Sequence, residues 1–118
     1  SGTASGAQEV PAVTTNATAN LTGSYNETSN QLTYSITWTG LSGDATMAHF
    51  HGPAMAGQVA PPLITLNIVT NGTNGTAAGT VNIVDSVEQF FKEGKMYYNI
   101  HTTANQPGEI RSQVTLQR

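Results

Sequence analysis

Three histidines are the residues of this sequence with the widest chemical reach. His49 and His51 stand two apart in Ala48-His49-Phe50-His51-Gly52-Pro53, and His101 lies in Asn99-Ile100-His101-Thr102. On a β-strand, residues two apart share a face and sit about 6.5–7 Å apart along it. Both rings of the His-x-His pair can then reach one ion while Phe50 points into the opposite layer. If the strand ending at His101 is a neighbour, three imidazoles converge. Neutral nitrogen donors without thiolates or an acidic pair suit copper or zinc, and not calcium or magnesium. The donors alone leave copper and zinc both open. Met47 shares the face of the two histidines, and Met55 sits in the loop that follows. A thioether from either would favour Cu(I). The plainer alternative is that the histidines are hydrogen-bonded strand ends and the methionines are packing.

Other polar residues carry weaker signals. The chain has no cysteine, which excludes thiol catalysis and thiolate metal sites. No nucleophile–base arrangement stands out among the many serines and threonines. Glu109 and Arg111, two apart, are expected to share a strand face and pair, an exposed contact worth under about 1 kcal/mol. Arg111 beside a metal would instead raise the local anion concentration. Glu9 reads as a surface strand residue in preference to a hydrogen-bond anchor. Tyr97, alternating with Asn99 and His101, reads as packing in preference to a redox or ligand tyrosine.

The elements that must position these groups are mostly strands. Gln31 to Trp38 alternates strictly: Leu32, Tyr34, Ile36 and Trp38 against Gln31, Thr33, Ser35 and Thr37. Period two with one dry face marks a half-buried strand, and Tyr34 and Trp38 belong to the core. Ala17 to Tyr25 repeats the pattern more weakly, and the short polar stretch Asn26 to Asn30 predicts a hairpin. Thr46–His51, Leu63–Val69, Thr76–Val84, Lys95–His101 and Glu109–Leu116 read as further strands, several of them separated by Gly-rich or Asn-rich turns. Asp85 to Gly94 breaks the β pattern, with Val87, Phe90 and Phe91 at helical spacing. Ser86 and Gln89 form a candidate capping box, and Gly94 a candidate helix stop. The expected architecture is a single all-β domain spanning residues 1–118, an antiparallel sandwich or barrel with one short helix.

Composition limits the partners. Only 9% of residues are charged, and the formal net charge is −3. Four basic residues, Lys92, Lys95, Arg111 and Arg118, are too few and too scattered to track phosphates, so nucleic acid is not expected. No apolar run approaches the roughly 20 residues of a membrane span. Threonine and asparagine take the place of charge, a surface common in bacterial extracellular proteins, and a removed signal peptide is expected.

Three motifs, taken in order, resemble a known family. Ser5-Gly6-Ala7-Gln8-Glu9-Val10-Pro11, then Ala48-His49-Phe50-His51-Gly52-Pro53-Ala54, then Asn99-Ile100-His101-Thr102 through Pro107-Gly108-Glu109-Ile110-Arg111-Ser112-Gln113 look like the CHRD domain, named from chordin. The resemblance covers nearly the whole chain. It implies a stand-alone secreted, cell-surface or periplasmic module and says little about activity. A second resemblance is confined to His49-Phe50-His51, the late His101, and a glycine and Arg111 after it. It is to copper–zinc superoxide dismutase, a Greek-key β-sandwich. That resemblance implies His49, His51 and His101 as copper ligands and Arg111 as the residue guiding an anionic substrate. A fourth bridging histidine, a zinc-binding loop and a disulfide have no counterparts here, so zinc beside the copper is not implied. Three functions remain open on the sequence: a copper-binding or copper-transferring module, a copper-only oxidoreductase, and a metal-free module that binds a protein partner outside the cell.

Overall fold

The computed structural model describes residues 1–115, so Leu116, the expected end of the last strand, and Arg118 lie outside the described residues. Nine strands occur among the described residues: β1 (Gly2–Ser5), β2 (Thr18–Asn26), β3 (Gln31–Thr39), β4 (Ala45–His51), β5 (Pro62–Thr65), β6 (Ile68–Thr70), β7 (Gly75–Asn82), β8 (Tyr97–Thr102) and β9 (Ile110–Gln113). One helix, α1 (Asp85–Lys92), connects β7 to β8, and a 3-10 turn, Gly6–Gln8, follows β1. The all-β antiparallel class with one short helix is therefore the fold of this chain. Alternation alone places β3 within a residue of its observed end. It missed β1, whose small residues show no dry face.

The strands form one sheet in the order β5-β4-β8-β9-β1-β2-β3-β7-β6, and every pair is antiparallel. Its two edges, β5 and β6, are successive pieces of one extended segment, separated only by Leu66 and Asn67. Pairing continues across that break, with Leu66 N–H donating to the Ala48 carbonyl (2.8 Å) and Ala78 N–H to the Asn67 carbonyl (3.0 Å). The sheet thus curls until its edges share a strand, leaving few open edge groups to recruit another chain. With β5 and β6 taken together, β4, β5/β6 and β7 run as a meander. β8 then returns through the helix to lie beside β4, which is the Greek-key order.

Curling encloses the core. Phe50 from β4 meets Tyr34 of β3 edge-on, ring centroids 5.8 Å apart, and meets Phe91 of α1 at 5.5 Å. Phe50, Ile36, Trp38, Tyr98, Ile100 and Ile110 are essentially inaccessible, and each such side chain contributes roughly 1.5–3 kcal/mol by burial. The helix ends as its glycine predicts. Gly94 has φ +71, Lys95 N–H donates to the Phe90 carbonyl and Gly94 N–H to that of Phe91, a Schellman closure. Its start differs from expectation: the N-cap is Val84, and no side-chain cap bond forms, so Ser86 and Gln89 make no capping box. Ser86 already lies inside the first turn, where its hydroxyl cannot take the cap position.

Candidate metal centre

Strand register assembles the site. Between β4 and β8, Met47 faces His101, His49 faces Asn99 and His51 faces Tyr97; between β8 and β9, Asn99 faces Arg111 and Tyr97 faces Gln113. Facing residues share a side of the sheet, and alternate residues along a strand do as well. Met47, His49, His51, Tyr97, Asn99, His101, Arg111 and Gln113 therefore form one grid on the outer face, while Ala48, Phe50, Tyr98 and Ile100 fill the core side. The outer face would be wet without cover. The loop after β4 folds over it: the Ala54 carbonyl accepts from Gln113 (3.0 Å), that of Met55 from Arg111 (3.2 Å), and that of Ala60 from the Tyr97 hydroxyl (3.1 Å). That loop leaves the strand at Gly52, where a Cβ would stand 2.3 Å from the Met96 sulfur and 2.9 Å from the Lys95 carbonyl. His49 and His51 are consequently buried, and His101 is half-buried at the open side.

The three histidines meet. One nitrogen from each lies within 4.8 Å of the other two. His49 Nδ1 and His101 Nε2 are 3.1 Å apart. Two nitrogens each about 2.0–2.1 Å from a common zinc ion lie about 2.9–3.4 Å apart at angles from square to tetrahedral, so this pair already has the spacing of two ligands. The tautomers follow from fixed acceptors. The Gln106 carbonyl, 2.6 Å from His101 Nδ1, can only accept, so Nδ1 carries the proton and Nε2 presents its lone pair. His51 is held at both nitrogens, Nδ1 against the Ala60 carbonyl (2.9 Å) and Nε2 against Asn99 Oδ1 (2.8 Å). A neutral ring can donate to only one of these. Burial, reinforced by the neighbouring rings, pushes the pKa of His49 below the ordinary imidazole value. Burial also pushes His51 down, against the pull of the Ala60 and Asn99 contacts. Both rings are thus biased toward the neutral form that a metal requires.

The faces of the rings are packed as closely as their edges. Tyr97 lies parallel to His51, centroids 4.7 Å apart and planes within 4°. The Arg111 guanidinium carbon sits 3.5 Å from the centroid of the same tyrosine. At these distances the two planes cannot occupy one face, so Tyr97 is sandwiched between His51 and Arg111. The guanidinium is 1% exposed and enclosed behind Tyr97. A residue guiding anions from solvent needs an open face, and Arg111 has none.

Other expectations meet mixed outcomes. Met47 is half exposed beside His101 in register, whereas Met55 contributes its carbonyl to the network and leaves its side chain half exposed. Glu109 does not pair with Arg111. It precedes β9, so strand alternation does not govern it, and its carboxylate accepts instead from Ser42, Thr102 and Thr15. Glu9 is buried beside Asn99 and Arg111, and is no surface strand residue. Asn99, assigned no role from its type, holds His51, and only the register made that visible. A cavity of about 900 Å³ opens elsewhere, between β2, β3 and α1, and no histidine lines it.

A model of the CHRD domain matches residues 1–114. The chain belongs to the CHRD domain family. The CHRD domain is typically extracellular, and among the described residues no helix is long and apolar enough to cross a membrane. The second and third motifs of the CHRD chain build the site, with His49 and His51 in one and Asn99, His101 and Arg111 in the other, and the first brings Glu9 beside it. Searches of curated proteins and of solved structures return no match. The likeness to superoxide dismutase around His49-Phe50-His51 is accordingly not borne out.

Proposed function

We propose that this CHRD domain binds one copper ion outside the cytoplasm through His49, His51 and His101, and serves in copper binding or transfer. The observation that supports it is the convergence of three imidazole nitrogens within 4.8 Å. Three neutral nitrogens fit copper by donor type, and for such a set Cu(II) binds more tightly than the other first-row divalent ions, zinc included. The half-exposed His101 leaves one side of the site open, which suits an ion that enters and leaves. Met47, facing His101 in the ladder, is the thioether best placed to add affinity for Cu(I); Met55 is the second candidate. The enclosed Arg111 gives no support to an anion-steered oxidoreductase.

Elemental analysis and copper titration of protein made without a histidine tag test this. One equivalent is expected for the wild type, with affinity falling at least 100-fold in His49→Ala and in His101→Ala while both remain folded. Unchanged stoichiometry and affinity in both variants would remove the site. Zinc in place of copper in the purified protein would keep the site and change the metal.

A further inference from the structure

The sequence motif Gln8-Glu9-Val10-Pro11 has no part in the three-histidine site itself, yet its glutamate ends beside it. The 3-10 turn packs on β9, and Glu9 N–H donates to the Gly6 carbonyl at 3.1 Å, turning the side chain inward. Glu9 is 8% exposed, and its Oε2 has no hydrogen-bond partner in the protein. Arg111 and the Asn99 amide face the carboxylate. Arg111 Nη1 is likewise buried without a partner. Leaving buried polar groups incompletely satisfied destabilises a fold, so packing alone gives no reason to keep them.

Gly108 is an independent sign that this approach is built in. Its φ is +130, and a Cβ there would stand 2.4 Å from Glu9 Oε2 and 2.5 Å from Asn99 Nδ2. The chain spares a side chain at the point where the carboxylate and the amide come together.

We infer that Glu9 is a positioning residue for His51, acting on the edge of the ring through Asn99 and on its face through Arg111 and Tyr97. The edge route is a matter of donors and acceptors. An amide can present either its oxygen or its nitrogen, and acceptor-only neighbours decide which. The Pro107 carbonyl, 3.2 Å from Asn99 Nδ2, and the Glu9 carboxylate both lie on the nitrogen side. They turn Oδ1 toward His51 Nε2, 2.8 Å away, and so bias which ring nitrogen carries the proton. The face route is stacking: Arg111, which feels the Glu9 carboxylate without a direct ion pair and is anchored on the Met55 carbonyl and Gln113, covers Tyr97, and Tyr97 covers His51. For His51 to take up an ion one of its two edge contacts must open, and the Asn99 contact together with the stack governs which nitrogen that is.

This deepens the copper proposal and rests on it for its consequence, so the test has one metal-free arm and one metal arm. Imidazole ¹⁵N spectra of metal-free protein at fixed pH report the proton distribution of each ring. Glu9→Gln is expected to shift both His51 nitrogen resonances and to leave those of His101 near their wild-type positions. Copper titration of the same variant should show one equivalent bound 10–100-fold more weakly, with altered Cu(II) hyperfine splitting in the electron paramagnetic resonance spectrum. Glu9→Asp keeps the charge but shortens the reach. It should fall between the two, and it carries the same readouts if the glutamine variant does not fold. Folded variants with wild-type His51 resonances and wild-type copper affinity would overturn the positioning role. A wild type that takes up no copper would overturn the copper proposal, and the His51 resonances alone would then decide the role of Glu9.

Discussion

Glu109 and Glu9 are both enclosed carboxylates, and their surroundings solve the cost of burial in opposite ways. Glu109 is wholly buried and fully clasped: its oxygens accept from the Ser42 hydroxyl (2.6 Å), the Thr15 hydroxyl (2.8 Å), the Thr102 hydroxyl (2.9 Å) and the Ser42 N–H (3.1 Å). Burial pushes its pKa up, but the bonds from Ser42, Thr15 and Thr102 together outweigh that and hold it below the ordinary value. Ser42 and Thr15 come from segments distant in the chain, so Glu109 ties the loop after β3 and the approach to β2 onto the start of β9. Glu9 lacks such a set. Burial pushes its pKa up to about 7, and the charge of Arg111 and the Asn99 amide only partly offset this. A carboxylate with every lone pair engaged is a structural clasp. One left partly open beside the Asn99 amide is free to position His51 through it.

Glu109→Ala is expected to have the largest effect on stability. It strands several buried donors at once, and loss of more than about 3 kcal/mol in urea unfolding is expected, with copper stoichiometry retained in whatever fraction folds. If Glu109→Ala unfolds no more easily than Glu9→Ala, the contrast between clasp and positioning residue is lost. Gly108→Ala comes next. Its left-handed φ and the short approaches to Glu9 and Asn99 predict a loss of about 1–3 kcal/mol. The same substitution sharpens the comparison, because it should also weaken copper binding, as Glu109→Gln should not.

The smallest expected effect is in the pH dependence. Glu9 binds its proton more tightly folded than unfolded, so its contribution to stability is fully present below about pH 4.5 and is lost as pH rises through about 7. Glu109 has the opposite sign: its contribution is present above about 4.5 and is lost as pH falls toward its lowered folded value. Urea midpoints of wild type minus Glu9→Gln, taken at pH 5 and pH 8, should therefore decrease with pH. For wild type minus Glu109→Gln between pH 6 and pH 3, they should decrease as pH falls. His49 and His51 also add stability that is lost as pH drops below about 6.5; they are common to both proteins of the Glu109 pair and cancel there, whereas in the Glu9 pair His51 itself is expected to respond.

How much of the site was legible depends on which residues lay in regular strand. His49 and His51 were readable because the pleat puts i and i+2 on one face whatever the rest of the molecule does. Tyr97, Asn99 and His101 shared a face for the same reason. Glu109 and Arg111 were misread by applying that rule one residue too early: β9 begins at Ile110, so Glu109 belongs to the turn. Glu9 was misread because a 3-10 turn, not a strand, carries the chain inward there. Arg111 offered a charge suited to steering anions, and its type alone could not show that Tyr97 and the loop after β4 would enclose it.

The sequence by itself determined the all-β class, the dry faces of β2 and β3, the helix stop at Gly94, and a donor set of imidazoles with no thiol. These follow from chemistry confined to a few neighbouring residues: alternation, turn geometry and side-chain type. Only the tertiary structure decided that β4 lies beside β8 with Met47 opposite His101, and that Glu9 lies beside the Asn99 that holds His51. Strand partnership and register are settled by the packing of the whole curled sheet around Phe50 and its neighbours, a balance that no local stretch of chain contains.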